Sequence, residues 1–345
     1  MDLKNTSYAF IIFISMVIIL IYGQSIILPF ILGILLWLIM RALKSALDKI
    51  PFVRDKFPNW LKNVLSSVVL LVVLNFVLSV VSSNINALRL SLETYEPNMA
   101  LIIKKINEVF KVNVVNVVRE QSGDLDFGDL LGAVFNSLSG LISNTFMIIL
   151  YSLFVLLEES SFRSKLHVLF DDKEGYQKST EMLYKIEHSI TQYFQLKTLV
   201  SLITGGLSYI VLQLIGVDSP VFWAFLIFIL NFIPTIGSLI ATIFPAIFCL
   251  LQFGEFTPSL TVLFLVGGIQ VLVGNIIEPR LMGTSMNVSP LVTIVALSFW
   301  GFIWGIPGMI LSVPITVIMI IAFSQFENTR TLAILLSEKG QLEGG

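Results

Sequence analysis

Four residues interrupt the apolar segment FILNFIPTIGSLIATIFPAI at 228–247: Asn231, Pro234, Thr235 and Gly237. Proline has no N–H and disrupts the hydrogen bond to the carbonyl four residues back, so Pro234 is expected to release the carbonyl of Leu230. A helix that ends here and restarts offers free carbonyls and free N–H groups at one place, with Asn231 and Thr235 as side-chain partners. That chemistry holds a polar ligand or an ion and breaks no bonds. A second interruption, Gly305-Ile306-Pro307-Gly308, repeats the design, with Pro307 releasing the carbonyl of Ile303. Between the two, Gly267, Gln270, Gly274 and Glu278 recur at helical spacing, with Asn275 adjacent.

The elements that must position these residues are membrane helices. Of 345 residues, 56% are hydrophobic and 13% charged, with a mean hydropathy of +0.90; soluble domains carry about 25% charge. The fold class is therefore an all-α polytopic membrane protein. Apolar runs near 8–22, 26–43, 64–82, 131–157, 196–216 and 259–277 supply about six full spans, each needing roughly 20 residues. No A-x-A site follows 8–22 and a second run begins at once, so that segment is read as a retained helix.

The segments 220–253 and 290–323 are different and bring the hydrophobic segments to about eight. Each half holds about 15 residues, or ~22–24 Å, short of a core of about 30 Å. Each segment opens with Ser-Pro, a helix start signal, at Ser219-Pro220 and Ser289-Pro290. Each carries a later proline, Pro245 or Pro314, and the spacing is 17 residues from Pro220 to Gly237 and 18 from Pro290 to Gly308. One long helix separates them. The reading is a pair of inverted re-entrant helical hairpins, each turning near mid-membrane; kinked helix pairs without a ligand, or two short spans, are the alternatives.

Lys and Arg cluster in the loop 41–63, which makes that loop and both termini cytoplasmic. Three regions follow: N-terminal helices in 1–83, an extracytoplasmic helical segment in 84–130, and a core in 131–345. The core includes the hairpins and an amphipathic cytoplasmic segment, 158–195, where Tyr176, Leu183, Ile186, Ile190 and Tyr193 recur at helical spacing. Small and polar residues stripe two further helices: Gly132, Asn136, Gly140 and Asn144, then Ser201, Gly205 and Ser208. Such stripes serve close helix packing. A carboxylate at bilayer depth costs about 2.5–3.5 kcal/mol even on a lenient scale. Glu278 is therefore either an ion-coupling group or, at the cytoplasmic edge, one half of a structural pair with Arg280.

Several chemistries are excluded. There is no G-x-x-x-x-G-K-[ST], no H-E-x-x-H and no Ser-His-Asp set, so no enzyme, cofactor or metal site is expected. The single cysteine, Cys249, lies in an apolar run and reads as a small hydrophobe. With 21 basic and 23 acidic residues and no basic block, nucleic acid is not a partner.

Taken in order, LNFIPTIGSLIATIFPAI, GNIIEPRLMGTSMNVSPLV and WGIPGMILSVPI resemble the autoinducer-2 exporter (AI-2E) family of bacterial permeases, in detail over about 175–325 and more loosely over the whole chain. By position the family motif falls on Pro234, Gly237, Glu278, Pro279, Gly283, Pro290, Gly305, Gly308 and Pro314. The resemblance implies a transporter of the bacterial inner membrane and a homo-oligomer, with a pentamer as the candidate assembly. The leading expectation is export of a small polar solute, with the furanone-type signal autoinducer-2 first. The path would run past Asn231, Pro234, Thr235, Gly237, Gln270, Asn275, Gly305, Pro307 and Gly308. Na⁺(Li⁺)/H⁺ antiport centred on Glu278, or a non-transporting scaffold organised by 158–195, are the alternatives.

Overall fold

Long apolar runs become long helices here, isolated prolines are carried inside them, and the breaks fall at Thr235 and Gly305. A computed structural model describes residues 3–110, 144–169, 173–282 and 287–340. Its helices are α1 (Leu3–Tyr22), α2 (Gln24–Leu47), α3 (Pro51–Lys56), α4 (Asn59–Phe110), α5 (Thr145–Leu169), α6 (Lys173–Ile215), α7 (Pro220–Leu230), α8 (Ile236–Phe253), α9 (Phe256–Leu272), a π-helical turn (Val273–Ile277), α10 (Glu278–Met282), α11 (Pro290–Ser324) and α12 (Arg330–Leu336). Among the described residues there is no strand, only an isolated antiparallel bridge between Val288 and Ser337. Five helical stretches are long and apolar enough to cross a bilayer: Gln24–Ser45, Glu174–Ile215, Ile236–Phe253, Phe256–Leu281 and Pro290–Ser324. Shorter apolar stretches, Phe10–Tyr22, Trp60–Val72 and Pro220–Leu230, join them. The chain is a multi-pass membrane protein, and exposed Phe10, Leu214, Phe264 and Phe302 suit contact with lipid.

Two helices run further than the sequence suggests. The expected span 64–82 continues without a stop into a helix of 52 residues, α4, and Pro97 lies inside it. The helix thus runs through the expected boundary at 83/84. From Lys173 on, the amphipathic segment and the span after it form one 43-residue helix, α6, while 158–169 belong to α5. The stripe residues Gly132, Asn136 and Gly140, the end of the extracytoplasmic segment from 111 to 130, and Gly283 lie outside the described residues.

The chain divides into two compact units, one of 1–71, 143–194 and 284–345, the other of 72–142 and 195–283. In the first unit α2 packs on α5 through Gly33. A Cβ there would lie 2.8 Å from the Tyr151 Cβ and 3.1 Å from the Ile148 carbonyl, and Phe30 meets Tyr151 edge-on at 5.6 Å. Gly33→Leu should therefore force α2 and α5 apart and lower the melting temperature of the detergent-solubilised protein by several degrees, from about 1–3 kcal/mol of overpacking. An unchanged melting temperature would mean that the contact is not needed. Polar groups clasp the same helices at their other end. Arg41 reaches Glu187 at 2.6 Å and Glu159 at 3.8 Å and lies over the Trp37 ring, while buried Lys62 holds Asp48 at 2.6 Å. A cavity of about 260 Å³ between Arg41, Lys44, Asp48, Asn63 and Glu159 sits among these pairs.

In the second unit α7 and α8 fold back on each other. Trp223 of α7 and Phe248 of α8 stack at 5.0 Å across the turn. Both ends of the hairpin meet at its base: the Gln252 amide donates to the Gly216 carbonyl at 2.9 Å and accepts from the Asp218 N–H at 2.8 Å. The C-terminal part of α4 closes this base. Tyr95 donates to Asp218, and Asn98 donates to the carbonyls of Leu251 at 3.0 Å and Gln252 at 2.8 Å. Trp223, Phe222, Phe248, Leu226 and Ile227 are all buried and form the unit's core. Cys249 lies free and buried in the same helix.

Candidate transport site

The first tip begins where α7 runs out. The Asn231 N–H still bonds to the Ile227 carbonyl at 3.0 Å, and Ile233 N–H reaches the Leu230 carbonyl at 2.9 Å. Pro234 then ends the helix. Thr235 follows with φ 59° and ψ −58°, and the Ile236 N–H closes on the Pro234 carbonyl at 2.6 Å. This is a γ-turn of the strained hand, at a β-branched residue that ordinarily avoids positive φ. Gly237 restarts the chain against the carbonyl of Leu230, where a Cβ would fall 1.8 Å from the oxygen. The freed Leu230 carbonyl thus does not stay open, as proline placement alone suggests. It is taken by Ile233 and covered by Gly237.

What remains for a ligand is side-chain amide. Asn231 is 7% exposed and donates from Nδ2 to Ser201 Oγ at 3.1 Å. Gly205, one turn along α6, lets that helix approach α7: a Cβ would lie 3.0 Å from the Ala224 carbonyl. The α6 stripe is therefore a packing face that also carries the hydroxyl partner of Asn231. From the other side comes Gln270. Ser259 donates to the Ala246 carbonyl at 2.7 Å, and Gly267 faces Thr242 Cγ2, so α9 runs antiparallel to α8. That register sets Gln270 about one turn from the tip. Its Nε2 is buried without a hydrogen-bond partner among the described residues, an arrangement costing about 1–3 kcal/mol.

Beyond Gln270 the helix widens into the π-turn Val273–Ile277, in which the Glu278 N–H bonds five residues back to the Val273 carbonyl. Pro279 supplies the reason. In an α-helix its ring would clash with the carbonyl of Asn275, and one wide turn relieves that. The extra residue breaks the expected stripe: Gln270 is buried, while Gly274 and Asn275 are exposed. Glu278 is turned inward to Lys197 of α6, whose ammonium donates to Oε1. The side chains are 7% exposed for Lys197 and 21% for Glu278. Glu278 is thus half of an ion pair, but with Lys197; Arg280 is exposed and forms no ion pair among the described residues. The sequence signal for Lys197 is its place one turn before Ser201 on the polar face of α6.

The second tip lies in the first unit. Gly305 takes φ 62° and ψ −142°, a conformation reserved for glycine, and breaks α11 there. The chain folds back: a Cβ on Gly308 would fall 2.0 Å from the Trp300 carbonyl. Gly237 and Gly308 thus use one device, a glycine seated on a carbonyl near the end of the incoming helix. Gly305 is exposed, Pro307 half-buried and Gly308 buried. Ser289 N–H pairs with the Leu336 carbonyl at 3.1 Å and closes the base. This tip does not stop midway along its neighbours. Trp304 donates to the Leu20 carbonyl at 3.0 Å, and Phe13 faces Phe299 at 6.5 Å, so the incoming half of α11 runs beside α1 to near its C-terminal end.

Comparison with known proteins agrees with a transport role. Residues 9–328 match the AI-2E family transporter. The AI-2 transport protein TqsA of Escherichia coli K12 is 30% identical over 92% of this chain and 91% of its own length. A protein of Haemophilus influenzae, named provisionally as a transport protein, is 29% identical over 94% of this chain and 95% of its own. A similarly named protein of Borreliella burgdorferi is 34% identical over 73% and 70%. The chain is a member of the AI-2E family of membrane transporters.

Proposed function

We propose that this transporter exports a small, uncharged, hydroxylated solute across the bacterial inner membrane, with autoinducer-2 the first candidate because a relative bears that name. The observation that carries the reading is the buried, unpartnered amide of Gln270 on α9, about one turn from the hairpin tip whose Asn231 donates to Ser201. An orphaned buried donor is costly, and a solute oxygen is the partner that removes the cost. Amides and hydroxyls match a polyol without demanding charge. In this reading both hairpins are re-entrant, with Thr235, Pro234, Gly237 and Asn275 bordering the first and Gly305, Pro307 and Gly308 the second. The basic loop 41–63 holds both termini in the cytoplasm, and the assembly is a homo-oligomer. Cation antiport through Glu278 receives no support, because the Lys197 ammonium already occupies its carboxylate.

The test separates ligand binding from folding. Gln270→Leu removes an unsatisfied donor, so it should leave the melting temperature unchanged or raise it. Transport of the labelled solute into proteoliposomes should nevertheless fall about tenfold or more, the loss of about 1.4 kcal/mol or more. A parallel loss of stability and transport would make Gln270 a packing residue.

A further inference from the structure

Past the first tip, the polar side chains just described are followed by an ion pair. Along α6 and α7 the contacts run antiparallel: Gly205 lies against Ala224 and Phe228, and Ser201 against Asn231. Continuing that register by one helical turn, about 6 Å, brings Lys197 level with the tip. Along α9, Gln270 precedes Glu278 by two turns. The Lys197–Glu278 pair therefore spans from α6 to α10 just beyond the tip.

We propose that Lys197 and Glu278 form a gate on this site, closed by their ion pair and opened when a solute takes the place of the carboxylate. The inference rests on the reading of the tip as a solute path. Two physical features argue for a gate over a permanent brace. The partners are unequal: Lys197 sits within α6 with its side chain 7% exposed, whereas Glu278 directly follows a π-turn and is 21% exposed. Apart from the helix's own backbone nothing lies within 4 Å of a Cβ built on Gly274, so that face of the turn is open. A bare buried ammonium costs several kcal/mol, so the pair does not part unaided. A solute with acceptor oxygens, held first by Gln270 and Asn231, supplies the replacement. Opening is thereby tied to a hydroxylated or carbonyl-bearing cargo and refused to an apolar one.

Cysteine labelling tests this without knowledge of the cargo. With Cys249→Ala as background, Gln270→Cys is the reporter in reconstituted full-length protein. Anionic and cationic methanethiosulfonates are applied from each side, the two charges controlling for altered local potential. With the native pair, labelling from the Lys197 side should be slow. In Lys197→Met/Glu278→Gln it should speed up about tenfold or more with both reagents, and the charge reversal Lys197→Glu/Glu278→Lys should restore the slow rate. Equal labelling in all three backgrounds would overturn the gate and leave the path standing. Absence of labelling from either side in every background would overturn the path and the gate with it. Melting temperatures of the three proteins within a few degrees show that the comparison is between folded states; if the neutral pair does not fold, Glu278→Asp, which shortens the carboxylate's reach to Lys197, takes its place, and an unchanged labelling rate in that variant would overturn the gate.

Discussion

Gly237→Ala should unmake the first tip. One methyl group placed 1.8 Å from the Leu230 oxygen has nowhere to go, because the obstacle is backbone rather than the end of a flexible side chain. Either α8 slides away from α7 or the carbonyl swings out and loses its bond to Ile233. Overpacking of this kind costs about 1–3 kcal/mol in ordinary cores, and a backbone obstacle places it at the upper end. The expected result is a melting temperature lower by several degrees, with transport abolished. Gly308→Ala should do the same at the second tip, where the methyl would meet the Trp300 oxygen at 2.0 Å. Thr235→Gly is the opposite case. It removes the side chain from a positive-φ position and relieves about 1–3 kcal/mol of strain, offset in part by the greater freedom of glycine in the unfolded chain. A stabilised but slower transporter would mean that the strained turn is kept for function.

Lys197→Met should be more damaging than the double substitution Lys197→Met/Glu278→Gln. It leaves Glu278 facing a buried methionine. Removing one partner of a buried pair costs about 3–5 kcal/mol; with the Glu278 side chain 21% exposed, the lower end applies. Lys197→Met/Glu278→Gln removes both charges and should recover most of that stability, since the penalty belongs to the orphaned carboxylate. Thermal unfolding of the two proteins in the same detergent decides. If the double variant is as unstable as the single, then packing of the lysine stem and not its charge holds α6 to α10.

Local signals made the hairpins legible. Ser-Pro marks the starts, and α7 and α11 begin at Pro220 and Pro290. The Pro-x-x-Gly and Gly-x-Pro-Gly clusters mark the turns, and the chain reverses at Thr235 and Gly305. Features set by distant partners were not legible. Nothing near Glu278 in sequence names Lys197, which lies 81 residues away, so Arg280 stood in as the nearest cation. The depth of the second tip depends on the register of α11 beside α1, a property of Trp304 and Leu20 together. Helix α4 outran its apolar run because polarity ends a membrane span without ending a helix, and Pro97 is tolerated within it. The openness of the tip carbonyl was overestimated because proline removes one hydrogen bond but leaves neighbouring N–H groups free to replace it.

The most direct test is counterflow of labelled autoinducer-2 in proteoliposomes carrying the native protein, Gln270→Leu or Asn231→Leu, each checked for an intact melting transition. A path past the first tip predicts saturable flux by the native protein and at least a tenfold loss in both variants, with Gln270→Leu no less stable than the native chain. Flux equal to that of protein-free liposomes, or equal in native protein and both variants, would contradict it.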